Sequence, residues 1–153
     1  MIHTDTLAAT TIELGIDTRI TLAAAGLLFV LALLLGVWKY QQIRTSPDAT
    51  AHVYVDIAHR ATLLYSFATL LLAVFTELSA WPTAVNLIAD VVILIFFVAA
   101  IAAYIVHGWL RDTTNQFHGQ TDKAGTHISM VSLIVGEVGG FLVLFSGFVA
   151  GQF

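Results

Sequence analysis

The chain has 153 residues, 58% hydrophobic and 10% charged, with a formal charge of −4 and a mean hydropathy of +0.88. A soluble domain carries roughly a quarter charged residues, so the composition excludes the ordinary soluble class and predicts a single all-α integral membrane domain. There is no basic run to suit nucleic acid, and no cysteine for disulfides, thiolate metal sites or thiol nucleophiles.

Met1 to Arg19 lacks the basic start of a signal peptide and carries Asp5, Glu13 and Asp17, so it reads as a polar arm retained on the mature protein. The uncharged run Ile20–Trp38 is the first predicted span. Ser46-Pro47-Asp48 has the pattern of a helix start: a capping hydroxyl, a proline in the first turn, then an acid near the positive end. The second helix is therefore expected over Pro47–Leu78, long enough for its first turns to project from the ~30 Å hydrocarbon core. The third span is expected over Ala84–Leu110 and the fourth over Ile128–Ala150. A tight turn, Ser79 to Thr83, and a polar loop, Arg111 to Thr126, make the last two connections.

Of the six basic residues, Lys39, Arg44, Arg60, Arg111 and Lys123 fall on the side of the first and third loops, and Arg19 on the other. The positive-inside rule then predicts a four-helix bundle with both termini on the outer side of a bacterial or archaeal cytoplasmic membrane. Trp38 and Trp109 would mark the inner boundary and Trp81 the outer one.

On this topology His52, His59, His107, His118 and His127 gather at the cytoplasmic face, leaving His3 apart. His52, Asp56 and His59 are spaced i, i+4, i+7 and share one helix stripe, continued by Leu63 and Ser66. Tyr104, His107 and Arg111 share a face of the third helix, and Met130 lies a turn below His127. One reading is a haem b iron ligated by His59 with His107 or His127, an imidazole's second nitrogen being held by a carboxylate such as Asp56. Another is a bare transition metal on His52, Asp56 and His59. The third is that these groups mark the water boundary, with Asp56 and Arg60 paired at i, i+4.

Glu137 falls near the middle of the fourth span, where an unpaired charge costs at least ~2.5 kcal/mol. It is expected to face the interior and to bond to Tyr65 or Ser66. A chain of acids from Asp90 through Glu137 toward His59 could relay protons, as in pumps. Gly136, Gly140, Gly147 and Gly151 form two GxxxG pairs. They predict close helix contact, within the bundle or in a homo-oligomer or membrane complex.

The segment Ala58-His59-Arg60-Ala61-Thr62-Leu63-Leu64-Tyr65-Ser66 resembles the Ala-His…Leu-Asn-Gly stretch of small four-helix membrane isomerases, the styrene oxide isomerase and hydroxylaminobenzene mutase class. The likeness is confined to helices two and three. It implies that His59 is an axial ligand of haem b at a subunit interface, with the iron acting as a Lewis acid. It also implies that Tyr104 contacts substrate, and it puts Tyr65 at the family's asparagine position. The expected function is thus a haem b- or metal-binding membrane protein, serving electron transfer or Lewis-acid chemistry on a small apolar substrate. The alternative is a noncatalytic membrane subunit or a small proton-coupled transporter.

Overall fold

The computed structural model describes residues 13–118 and 123–153, without the side chain of Lys123. Most of the polar arm, with His3 and Asp5, lies outside the described residues. The remainder forms four helices, α1 (Ile16–Thr45), α2 (Val53–Glu77), α3 (Thr83–Leu110) and α4 (Lys123–Gln152), with no strand among the described residues. All four are long and apolar enough to cross a membrane. The shortest has 25 residues, or ~37 Å at 1.5 Å per residue, against a ~30 Å hydrocarbon core. The protein is an all-helical integral membrane bundle.

Helix α1 opens at Ile16 rather than Ile20, so the end of the expected arm is helical, and α4 opens at Lys123 rather than Ile128, inside the expected loop. The end of α1 and the start of α2 differ further. Helix α1 does not stop at Trp38 but continues to Thr45, because Lys39, Gln41, Gln42 and Arg44 are good helix formers whether or not they are apolar. Pro47 ends α1 rather than starting α2. A residue before proline is pushed out of the helical region, and Ser46 is extended at φ −84, ψ 135. The chain then turns through Ala49 at φ 50. Helix α2 starts at Val53, capped by His52, whose Nδ1 accepts from the Tyr54 amide at 3.4 Å.

Helix α2 is the centre of the bundle, touching all three other helices, while α4 packs on α2 and α3 and does not touch α1. Small residues line the α1–α2 seam: Ala25 and Ala32 on one side, Ala58, Thr62, Thr69 and Ala73 on the other, all buried. Such residues let helix backbones approach closely in lipid, where there is no hydrophobic drive between helices. The buried threonines satisfy themselves, Thr62 donating to the Ala58 carbonyl at 2.7 Å and Thr69 to that of Tyr65 at 2.8 Å. On the other side Leu72, Ala89, Ile93, Phe97 and Leu144 join α2, α3 and α4.

Helix α4 is fastened at its C-terminal end. Trp81 Nε1 donates to the Val143 carbonyl and Ser146 Oγ, both at 3.1 Å, and Gln152 Nε2 donates to the Leu78 carbonyl at 3.0 Å. Gly147 and Gly151 face this contact, and Gly140 faces α3. A Cβ at Gly140 would meet Ile93 at 2.8 Å, one at Gly147 would meet Ser79, and one at Gly151 would meet the Leu78 carbonyl at 2.8 Å. Both GxxxG pairs are accounted for inside the chain, so their spacing carries no argument for a second copy.

Candidate functional site at the histidine end

Asp56 and His59 lie on the face of α2 that looks onto α1, whereas His52 is the N-cap, outside the helix, with its ring 6.1 Å from that of Tyr54. The His52 amide donates to Gln42 Oε1 at 2.9 Å. Asp56 forms an ion pair with Lys39 and a longer one, 3.5 Å, with Arg60. His59 Nδ1 lies 2.9 Å from the Ala32 carbonyl oxygen, and its ring rests on Gly36, where a Cβ would meet Cε1 at 3.0 Å. A carbonyl only accepts, so Nδ1 carries the proton and Nε2 is left as the free base nitrogen.

These contacts correct the three-ligand metal reading. His52 caps a helix, Asp56 is held by two cations and His59 is held by α1. Among the described residues no group of three or more histidines and acids is placed to hold a metal ion. They also reassign the group that holds the imidazole: it is the Ala32 carbonyl, not Asp56. The i, i+4 pairing of Asp56 with Arg60 is present, and Lys39 approaches Asp56 more closely.

A second group forms on the α3 side of α2. Tyr54 is buried at 4% exposure, stacks on Tyr104 with centroids 6.1 Å apart, and meets the His107 ring at 5.2 Å. Its hydroxyl accepts from the Gln116 amide at 2.6 Å, tying the third loop to the bundle. His107 Nδ1 bonds Asp112 Oδ1 at 2.9 Å. Tyr54 and His59 are five residues apart, which is ~140° around a helix, so His107 and His59 stand on different sides of α2. His127 and Met130 are exposed on α4, which has no contact with α1. Among the described residues no hydrogen bond or ring contact joins His59 to His107 or His127.

Beside His52 the loop opens a polar cleft of about 310 Å³, lined by Gln42, Thr45, Ser46, Thr50 and Arg111 among others. Arg111 caps α3 in the left-handed region at φ 53. Burial and then the Arg111 guanidinium push His52 below the ordinary imidazole range, with Asp112 opposing them. Asp112 itself is held below the usual carboxylate range, first by its bond to His107. This cleft has no sequence signal, because its walls come from both ends of a turn and from α3.

The intramembrane groups fall elsewhere. Tyr65 stacks flat on Phe97, centroids 4.1 Å apart. Ser66 donates to the Leu63 carbonyl at 2.7 Å, and Glu137 Oε1 is buried with no partner, so the expected bond from Glu137 to Tyr65 or Ser66 is not made. Asp90 is fully buried and bonds Thr21 and Thr76, at 2.7 and 2.8 Å. No hydrogen bond links it to Glu137, and the relay toward His59 has no bonded path among the described residues. A polar network around Asp90, with Asp17 and Asn86, was missed by sequence reasoning. The signal was present as Asp17-Thr18…Thr21 and Asn86…Asp90, both at helical spacing. No protein-family model, curated protein or solved structure matches the chain.

Proposed function

We propose that the chain is a membrane haem b protein in which His59 is the single axial ligand, at the cytoplasmic face, with both termini outside in a bacterial or archaeal cytoplasmic membrane. The observation that carries this is the His59–Ala32 bond at 2.9 Å. A ligating histidine nearly always donates its other ring nitrogen to a carbonyl or carboxylate, which sets the tautomer and ring angle and raises the basicity of the ligating nitrogen. His59 has that arrangement, and among the described residues no other histidine has it with a backbone carbonyl of a neighbouring span. The resemblance of Ala58–Ser66 to the membrane isomerases points the same way.

Held by His59, a haem would supply Lewis acidity to a small ligand. A single histidine is favoured because no contact joins His59 to His107 or His127 among the described residues. The residues of the chain orient the imidazole (Ala32, Gly36) and clear water from its surroundings by close helix contact. Tyr104 and Tyr65, the hydroxyls that the resemblance assigns to a substrate, pack on Tyr54 and Phe97 on the α3 side, so the His59 proposal does not depend on them. The second reading, a noncatalytic subunit or small proton-coupled transporter, draws on the buried acids at the other end.

The absorption spectrum of the purified full chain, with haemin added, tests the proposal. A Soret band lost in His59→Ala and kept in His107→Ala and His127→Ala is expected. A chain that takes up no haem, or His59→Ala with an unchanged band, overturns it. A reporter fused after Phe153 and active in the cytoplasm overturns the orientation.

A further inference from the structure

At the end of the bundle opposite the histidines, three helices bring together polar side chains almost closed to solvent. Asp17 and Thr18 stand in the first turn of α1, Thr21 one turn on, Thr76 in the last turn of α2, and Asn86 and Asp90 near the start of α3. None exceeds 5% exposure, and Thr21 and Asp90 are at 0%.

They form one connected network. The Thr21 hydroxyl lies 2.7 Å from Asp90 Oδ2 and 3.0 Å from the Asp17 carbonyl oxygen. Thr76 donates to the same Asp90 oxygen at 2.8 Å, and Asn86 Nδ2 reaches Asp17 Oδ2 at 3.4 Å. Two oxygens of the network are buried without a partner, Asn86 Oδ1 and Asp90 Oδ1, as is Thr18 Oγ1 on the residue whose amide bonds Asp17 Oδ1. Among the described residues no lysine, arginine or histidine side chain bonds to it.

Two carboxylates buried together, with no cationic side chain, call for positive charge from another source. The N-termini of α1 and α3 each contribute roughly half a unit, offset in part by the C-terminus of α2. That leaves a net charge of about one to one and a half negative units, which a monovalent cation balances better than a divalent one. A proton on Asp90 Oδ1 could serve one of the unpartnered acceptors and would leave the rest without a donor. A metal cation can be shared by several oxygens at once, and an all-oxygen donor set selects hard cations over zinc or copper.

We propose that Asp17, Asp90 and Asn86, with the neighbouring threonine hydroxyls, form a binding site for a hard monovalent cation of the sodium class. The mouth lies beside Gly15, whose amide donates to Glu77 Oε2 at 3.3 Å. A Cβ there would sit 2.5 Å from Asp17 Oδ1 and 3.8 Å from Glu77 Oε2, so glycine keeps a side chain of its own out of the space between the two carboxylates. Glu77 is exposed at the rim, where water and salt screen its charge, so it is not counted with the two buried carboxylates.

Thermal unfolding of the full chain in detergent tests this, in sodium, calcium or choline chloride at matched ionic strength. A saturable rise of several degrees in sodium over choline is expected. The sodium concentration at half-effect should rise at least tenfold in Asn86→Ala and Thr18→Val, and the effect should vanish in Asp90→Asn. The first two variants keep both carboxylates and report even where Asp90→Asn does not fold. Equal melting in sodium and choline, a preference for calcium, or a half-effect concentration unmoved by Asn86→Ala and Thr18→Val overturns the site. A response to pH with no response to any cation also overturns it.

Discussion

His59 of α2 and Ala32 of α1 are joined by a side chain to backbone hydrogen bond of 2.9 Å, made where Gly36 leaves room for the imidazole ring. One bond thus couples the closest helix pair of the bundle to the tautomer of the residue proposed as ligand. Adding a methyl group at Gly36 puts a Cβ 3.0 Å from Cε1 and 3.2 Å from Nδ1, tighter than the ring tolerates in place. Gly36→Ala is expected to weaken the bond and cost about 1 kcal/mol of stability. The check is the melting temperature together with the ring-nitrogen NMR shifts of His59, which should lose the Nδ1–H signature. Unchanged shifts would show that the ring does not depend on Gly36.

Lys39 and Asp56 pair across the same seam, with side chains 30% and 33% exposed. Partial exposure keeps the pair modest, about 0.5–1 kcal/mol. A double-mutant cycle of Lys39→Met and Asp56→Asn should return a coupling of that size. The coupling should shrink as salt is raised, since exposed pairs are screened. A salt-independent coupling would instead indicate a dry, closed pair.

The polar cleft gives the protein two acid-sensitive windows. His52 is held below the ordinary imidazole range by burial and by Arg111, so on acidification the unfolded chain takes up this proton first. Stability therefore falls as pH drops through the unfolded value of about 6.5 toward the folded one. Asp112 is held low by its bond to His107. Its contribution is present above the unfolded value of about 3.9 and is lost as pH falls through the folded one. Melting temperature against pH should show both declines. Arg111→Gln should move the His52 midpoint upward when followed by imidazole NMR, and an unmoved midpoint would remove Arg111 as a cause.

The glycines of α4 separate into those in contact and one that is free. A Cβ at Gly140 would lie 2.8 Å from Ile93 Cγ1 and 3.2 Å from the Ala89 carbonyl oxygen, whereas at Gly139 nothing lies within 4 Å. Gly140→Ala should cost about 1–3 kcal/mol through forced displacement of α3. Gly139→Ala should be neutral or slightly stabilising, since alanine is the better helix former. Denaturant unfolding in mixed micelles compares the two, and equal effects would show that α4 does not seat on α3 as described.

Much of this molecule is contained in its hydropathy and helical periodicity. Four spans, their order and the shared face of Asp56 and His59 follow from composition and from 100° per residue, because those depend on one helix at a time, whereas His52 fell outside the helix as its cap. The end of α1 did not follow, since apolar character stops at Trp38 while backbone hydrogen bonding continues to Thr45, and the same Pro47 that can open a helix also closes one. What lies across each face was decided only by the packing of one helix on another. The stripe on α2 meets Ala32, Gly36 and Lys39 and so forms a seam with one oriented imidazole rather than a three-ligand metal site. The α4 glycines meet Ile93 and the turn at Ser79. Asp17, Asn86 and Asp90, far apart in the chain, become one buried network. Periodicity states which way a residue points from its own axis, and only the neighbouring axis determines what it finds there.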